Sequence, residues 1–101
     1  MNRSCAVIEF KNQELYLSGE VNFDNAESLY LNGLRRIQAE QNFPMTVNLS
    51  GLQGANTLAL AVLIRWLRHT PEVNGLIFKA VPEKMLKIIQ SCHLEHDLRM
   101  A

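Results

Sequence analysis

The sequence predicts an α/β fold in which a mixed β-sheet, opened by a hairpin, has helices packed against it. Three observations lead there. Two apolar-alternating segments near the N-terminus flank a short polar triplet. Helical periodicity then alternates with strand-like runs. Finally, 101 residues are enough for one core and too few for two. The expected domain is the whole chain, 1–101.

Taking the elements in order, Cys5–Phe10 and Glu14–Ser18 each suit a strand, and Lys11-Asn12-Gln13 is polar and short enough to turn. From Asp24 the period changes. Ala26, Leu29, Tyr30, Leu34 and Ile37 recur at helical spacing, with Asp24 and Glu27 placed as an N-cap and its third-position partner, which gives a helix over roughly 25–41. Gly33 inside it marks either close packing or a tolerated weakness. Phe43-Pro44 ends that helix, and Met45–Leu49 reads as a short strand running into the loop Ser50–Ala55. The apolar stretch Leu58–Leu67 follows Asn56-Thr57 and closes with Arg65, Arg68, His69 and Pro71, as a second helix with cations at its C-terminal end. Asn74-Gly75 turns the chain into a strand at Leu76–Val81. Pro82, at a first helical position, then opens a third helix to about Cys92. The segment from His93 to Ala101 has no readable period.

Composition narrows the function. Ten Lys plus Arg balance ten Asp plus Glu, so no field of one sign draws the chain to nucleic acid or an anionic membrane. Arg35-Arg36 and Arg65 with Arg68 are isolated pairs, not a basic stripe interleaved with aromatics. No apolar run approaches the roughly 20 residues that cross a bilayer. The N-terminus carries no signal-peptide pattern, and residence in the cytoplasm is expected. Cys5 and Cys92 read as small core hydrophobes.

The second helix carries the functional signal. At about 100° per residue, Ala59, Leu60, Leu63, Ile64, Trp66 and Leu67 share one broad arc suited to the core. The other side holds Thr57, Ala61, Arg65, Arg68 and His69, but also Leu58 and Val62. Leu58, Ala61 and Val62 beside Thr57, with Arg65 a turn further on, form a small docking patch with an apolar centre, a polar rim and one arginine. The alternative is that the tail or the third helix covers this face. Thr57 follows Asn56, a favoured N-cap, so its hydroxyl stands near unbonded first-turn amides. That position suits a partner, or an added phosphate, or simply a local cap.

Val47-Asn48-Leu49-Ser50, the six-residue loop, Asn56-Thr57 and the Ala/Leu-rich helix together resemble the signature stretch of STAS domains, and the order of elements matches over nearly the whole chain. Within that family the chain is most similar to the MlaB-like subunits of Mla phospholipid-transport ABC complexes, which maintain outer-membrane lipid asymmetry. The resemblance implies a non-enzymatic subunit that binds the ATPase and, through it, the inner-membrane permease, without inserting into the membrane. By motif position Thr57 corresponds to the family's functional Ser/Thr and is the candidate phosphoacceptor, and Asn56 stands where the family has an acidic residue. The implied partner contacts are Asn56, Thr57, Leu58, Ala61, Val62 and Arg65. Asn in place of Asp, and Leu58-Ala59 where anti-sigma factor antagonists have a small residue, weigh against the alternative of a phosphorylation-switched antagonist.

Other chemistry finds little support. His93 and His96 have a His-x-x-His spacing near Cys92, Glu95 and Asp97, but no second ligand cluster accompanies them, and no metal is expected. No base and orienting group accompany Thr57, Cys5 or Cys92 in a recognised nucleophile pattern. Gly51-Leu-Gln-Gly54 lacks the lysine of a phosphate loop, so no cofactor is expected and nucleotide hydrolysis belongs to a partner.

Overall fold

Strands and helices run in the order β1 (Ala6–Lys11), β2 (Glu14–Gly19), α1 (Ala26–Ala39), β3 (Met45–Asn48), α2 (Thr57–Arg68), β4 (Leu76–Lys79), α3 (Glu83–Ser91) and β5 (Arg99–Met100). They belong to a computed structural model that describes residues 6–40, 43–70 and 75–100. Cys5, Pro71, Asn74 and Ala101, named above, lie outside the described residues, as does position 41 at the expected end of the first helix.

The strands line up in chain order, with β1 antiparallel to β2 and the pairs β2–β3, β3–β4 and β4–β5 parallel. Each parallel step passes through a helix and moves in the same direction across the sheet. Because such crossovers share one hand, α1, α2 and α3 are carried to the same face. Strand alternation agrees. Leu15, Leu17, Met45, Val47, Leu76 and Phe78 are buried beneath the helices, and the register sets Leu15 beside Val47 and Val47 beside Phe78. The intervening positions form the other face, where Glu9, Tyr16, Asn48 and Lys79 run in one row. The hairpin turns at Asn12 and Gln13, both at positive φ (52° and 65°), which suits the twist of a two-residue hairpin loop.

Three expectations are corrected. Asp24 does not cap α1, because it lies in the preceding turn. The cap position is Asn25, whose side chain makes no cap bond to the helix. The reason lies in Asn22, whose Oδ1 accepts from the amides of Asp24 and Asn25 (2.9 and 3.0 Å) while its carbonyl accepts from Ala26. The turn is thus closed by Asn22 before Asp24 can act. Cys92 is an exposed free thiol, not a core residue, because it caps the end of α3 as the chain turns away. The strand expected over 76–81 stops at Lys79, since Ala80 takes φ 57°. The tail, unreadable in sequence, buries Leu98 and adds β5 to the sheet edge.

Candidate functional site

The start of α2 is held by a single amide side chain. Asn56 has extended backbone (φ −156°, ψ 170°), and its Oδ1 accepts from the Ala59 amide at 2.8 Å. Its Nδ2 donates to the Val21 carbonyl at 2.9 Å, which ties the helix to the loop after β2. The preceding loop is clipped to the same strand end, since Gly19 N donates to Gly51 O (2.9 Å) and Gln53 N to Gly19 O (2.7 Å). Gly54 supplies the positive φ (70°) that the last bend requires. Thr57, the first helical residue, therefore stands exposed on a braced platform, among amides that the helix does not pair.

Along the outer side of α2, Thr57, Ala61 and Arg65 are exposed at successive turns and Leu58 is half-buried. Among the described residues, neither α3 nor the tail covers the three exposed positions. Val62 is a correction. It is 2% exposed and lies within the core, because four residues before Trp66 it sits only about 40° from that residue around the helix. The outer strip is thus narrower than the sequence suggested. Its apolar content at the surface is Ala61 and part of Leu58.

Arg65 is not a solitary cation. Its Nη1 reaches Glu27 Oε1 of α1 at 3.0 Å, and the guanidinium lies over the Tyr30 ring, 3.6 Å from the centroid. The hydrogen bond it donates to Glu27 holds its pKa above the ordinary arginine value. Behind it, Trp66 Nε1 donates to the Tyr30 carbonyl (2.9 Å), and the Tyr30 hydroxyl meets His69 Nε2 at 2.9 Å. The first turn of α1 is thereby bonded to the outer row of α2. The sequence pattern makes Glu27 a cap partner and Tyr30 a core residue. Their place beside Arg65 comes from packing between residues almost 40 positions apart in the chain.

Phe23, which no periodicity singled out, is 88% exposed in the turn before α1. The available signal was an aromatic residue set in the polar run Asn22-Phe23-Asp24-Asn25. His93 and His96 are exposed in the turns after α3, at a distance in sequence from this site. None of the described helices is long and apolar enough to cross a membrane.

Comparison with known proteins follows the same outline. The family model described as "Mlab, STAS domain" matches residues 6–100. Two solved structures of the Acinetobacter MlaFEDB complex, in ATP-bound Vtrans1 and Vtrans2 conformations, each contain a chain that is 55% identical. In both, the match covers 94% of this chain and 100% of that one, at a TM-score of 0.87. An anti-sigma factor antagonist from Mycobacterium paratuberculosis is 15% identical at a TM-score of 0.77, covering 97% of this chain and 85% of that one, which is a likeness of fold alone. Among curated proteins none matches.

Proposed function

We propose, from the premise that this chain belongs to the MlaB-type STAS family, that its 101 residues form one non-enzymatic domain that docks onto the ATPase of a phospholipid-transporting ABC complex. It supports assembly and activity of that complex from the cytoplasmic side and meets the inner-membrane permease only through the ATPase. The observation that carries this reading is the open row Thr57, Ala61 and Arg65 on a braced helix start. It belongs to a chain that matches, over the full length of that chain, a member of the MlaFEDB complex.

The contact set is Asn56, Thr57, Leu58, Ala61 and Arg65, with different parts to play. Asn56 fixes the platform and has both ends of its amide engaged within the chain. Thr57 offers its hydroxyl beside first-turn amides. Ala61 allows close approach of another backbone, with Leu58 at its flank. Arg65 keeps donors for a partner beyond the one given to Glu27. The likeness to the anti-sigma factor antagonist adds nothing to a switching role, since at 15% identity it speaks for fold only.

The test is co-purification with the ATPase subunit, together with the ATPase rate of the assembled complex. Thr57→Glu and Ala61→Arg alter exposed positions, where effects on folding stay within about 0.5 kcal/mol. Both are expected to lower complex yield at least about tenfold, a loss of about 1.4 kcal/mol or more in binding. Undiminished yield and turnover for both variants would remove this interface. Loss with Thr57→Glu and retention with Thr57→Ala would support charge at this position, as a phosphate adds it, as a means of release.

A further inference from the structure

Phe23 places a nearly fully exposed aromatic ring on a loop that has no freedom to hide it. It is 88% exposed, against 52% for Val7 and 45% for Leu31. The turn beneath it is closed by four hydrogen bonds: Asn22 N to Asn25 Oδ1, Asn25 N and Asp24 N to Asn22 Oδ1, and Asn25 Nδ2 to the Glu20 carbonyl, all 2.9 to 3.0 Å. Val21 on one side is 1% exposed. A ring held out by a stiff turn loses little conformational entropy when another surface covers it, which is the property of an interface anchor.

Its location is set by two ties. Two residues before it, the Val21 carbonyl accepts from Asn56, the neighbour of Thr57. Four residues after it, Glu27 is paired with Arg65. Both ties tether the turn that carries Phe23 to the α2 helix at the Thr57, Ala61 and Arg65 row, on either side of the ring in the chain. The exposed carboxylate of Asp24 is its neighbour in the chain, a charge that repels an anionic lipid surface and suits a protein pocket with a cationic rim.

We propose that Phe23 is an anchor of the docking face, its ring filling an apolar pocket on the ATPase subunit whose rim carries Lys or Arg. This rests on the function proposed above. The row on α2 by itself offers little apolar area, and Phe23 supplies what that row lacks. An aromatic ring seated in a desolvated pocket commonly carries a large share of an interface's affinity.

The experiment is titration of the purified ATPase subunit with the full chain as wild type, Phe23→Ser, Phe23→Leu, Leu31→Ser and Thr57→Glu, each checked for an unchanged melting temperature. Phe23→Ser is expected to weaken binding about 30-fold, the size of an interface hot spot. Phe23→Leu should stay within about fivefold, and Leu31→Ser within about twofold, of wild type. Affinity of Phe23→Ser equal to wild type, with Thr57→Glu defective, would overturn the anchor and leave the α2 interface standing. Wild-type affinity in every variant, or no binding by wild type, would overturn both. Loss of binding to anionic phospholipid vesicles by Phe23→Ser, with ATPase affinity unchanged, would assign the ring to a membrane and overturn the proposal.

Discussion

At the scale of single residues, Asn56 shows why one functional group replaces another. A carboxylate at this position would accept from Ala59 as well as the amide does, and would suit the helix dipole by about 0.3 to 1 kcal/mol. It has no donor for the Val21 carbonyl, however, and would set negative charge against that oxygen. Leaving a part-buried acceptor unpaired costs about 1 to 3 kcal/mol. Asn56→Asp is therefore expected to destabilise the fold by about 1 kcal/mol net in urea unfolding, and a variant as stable as wild type would show that the tie to Val21 is idle. The cap itself was legible in sequence, because Asn before an apolar helical run is a local signal. Its second bond, across 35 residues, was not.

At the scale of elements, the α1–α2 contact is set by Gly33 against Trp66. A β-carbon at Gly33 would enter the indole, 2.7 Å from Nε1. The ring is fully buried, and Nε1 is committed to the Tyr30 carbonyl. Alanine's advantage of about 1 kcal/mol within a helix is thus set against overpacking at the upper end of its usual range, about 3 kcal/mol. Gly33→Ala is expected to lower stability by about 2 kcal/mol net, measured as a fall in the urea midpoint. A rise in the midpoint would mean that the seam is loose. Sequence left two accounts of this glycine open, and only the facing helix chooses close packing. The same crossing brings Glu27 and Tyr30 beneath Arg65, so the element that fits α1 to α2 also shapes the docking row.

At the scale of the molecule, one sheet face is covered by three helices and the other is held by side-chain bonds across strands. Glu14 of β2 accepts from Asn48 of β3 at 3.1 Å and from Lys79 of β4 at 3.0 Å. These bonds, Asn48 first and Lys79 second, hold the Glu14 carboxyl below its ordinary pKa. A carboxylate with a lowered folded pKa adds stability above its unfolded value, about 4.3. That stability is lost as pH falls through the folded value. Glu14→Gln is therefore expected to flatten the dependence of unfolding free energy on pH below about pH 5, with the largest difference from wild type near neutrality. Parallel curves for the two proteins would show that the network does not couple to folding.

What the sequence determined by itself was the kind and order of the elements. Periods of 2 and 3.6 residues, an Asn cap, Pro82 and the polar hairpin turn are local, and local chemistry is enough to place seven of the eight elements within a few residues. It also bounded function, through balanced charge and the motif from Val47 to Thr57. Tertiary structure decided what depends on distant neighbours. It buried Val62 against the core, closed the turn at Asn22 in place of a cap at Asp24, and left Phe23 standing free. It also recruited the two-residue strand β5, which has no period of its own and forms only because β4 presents an unpaired edge. The physical reason is that burial is a property of the surface opposite, and no window along the chain contains that surface.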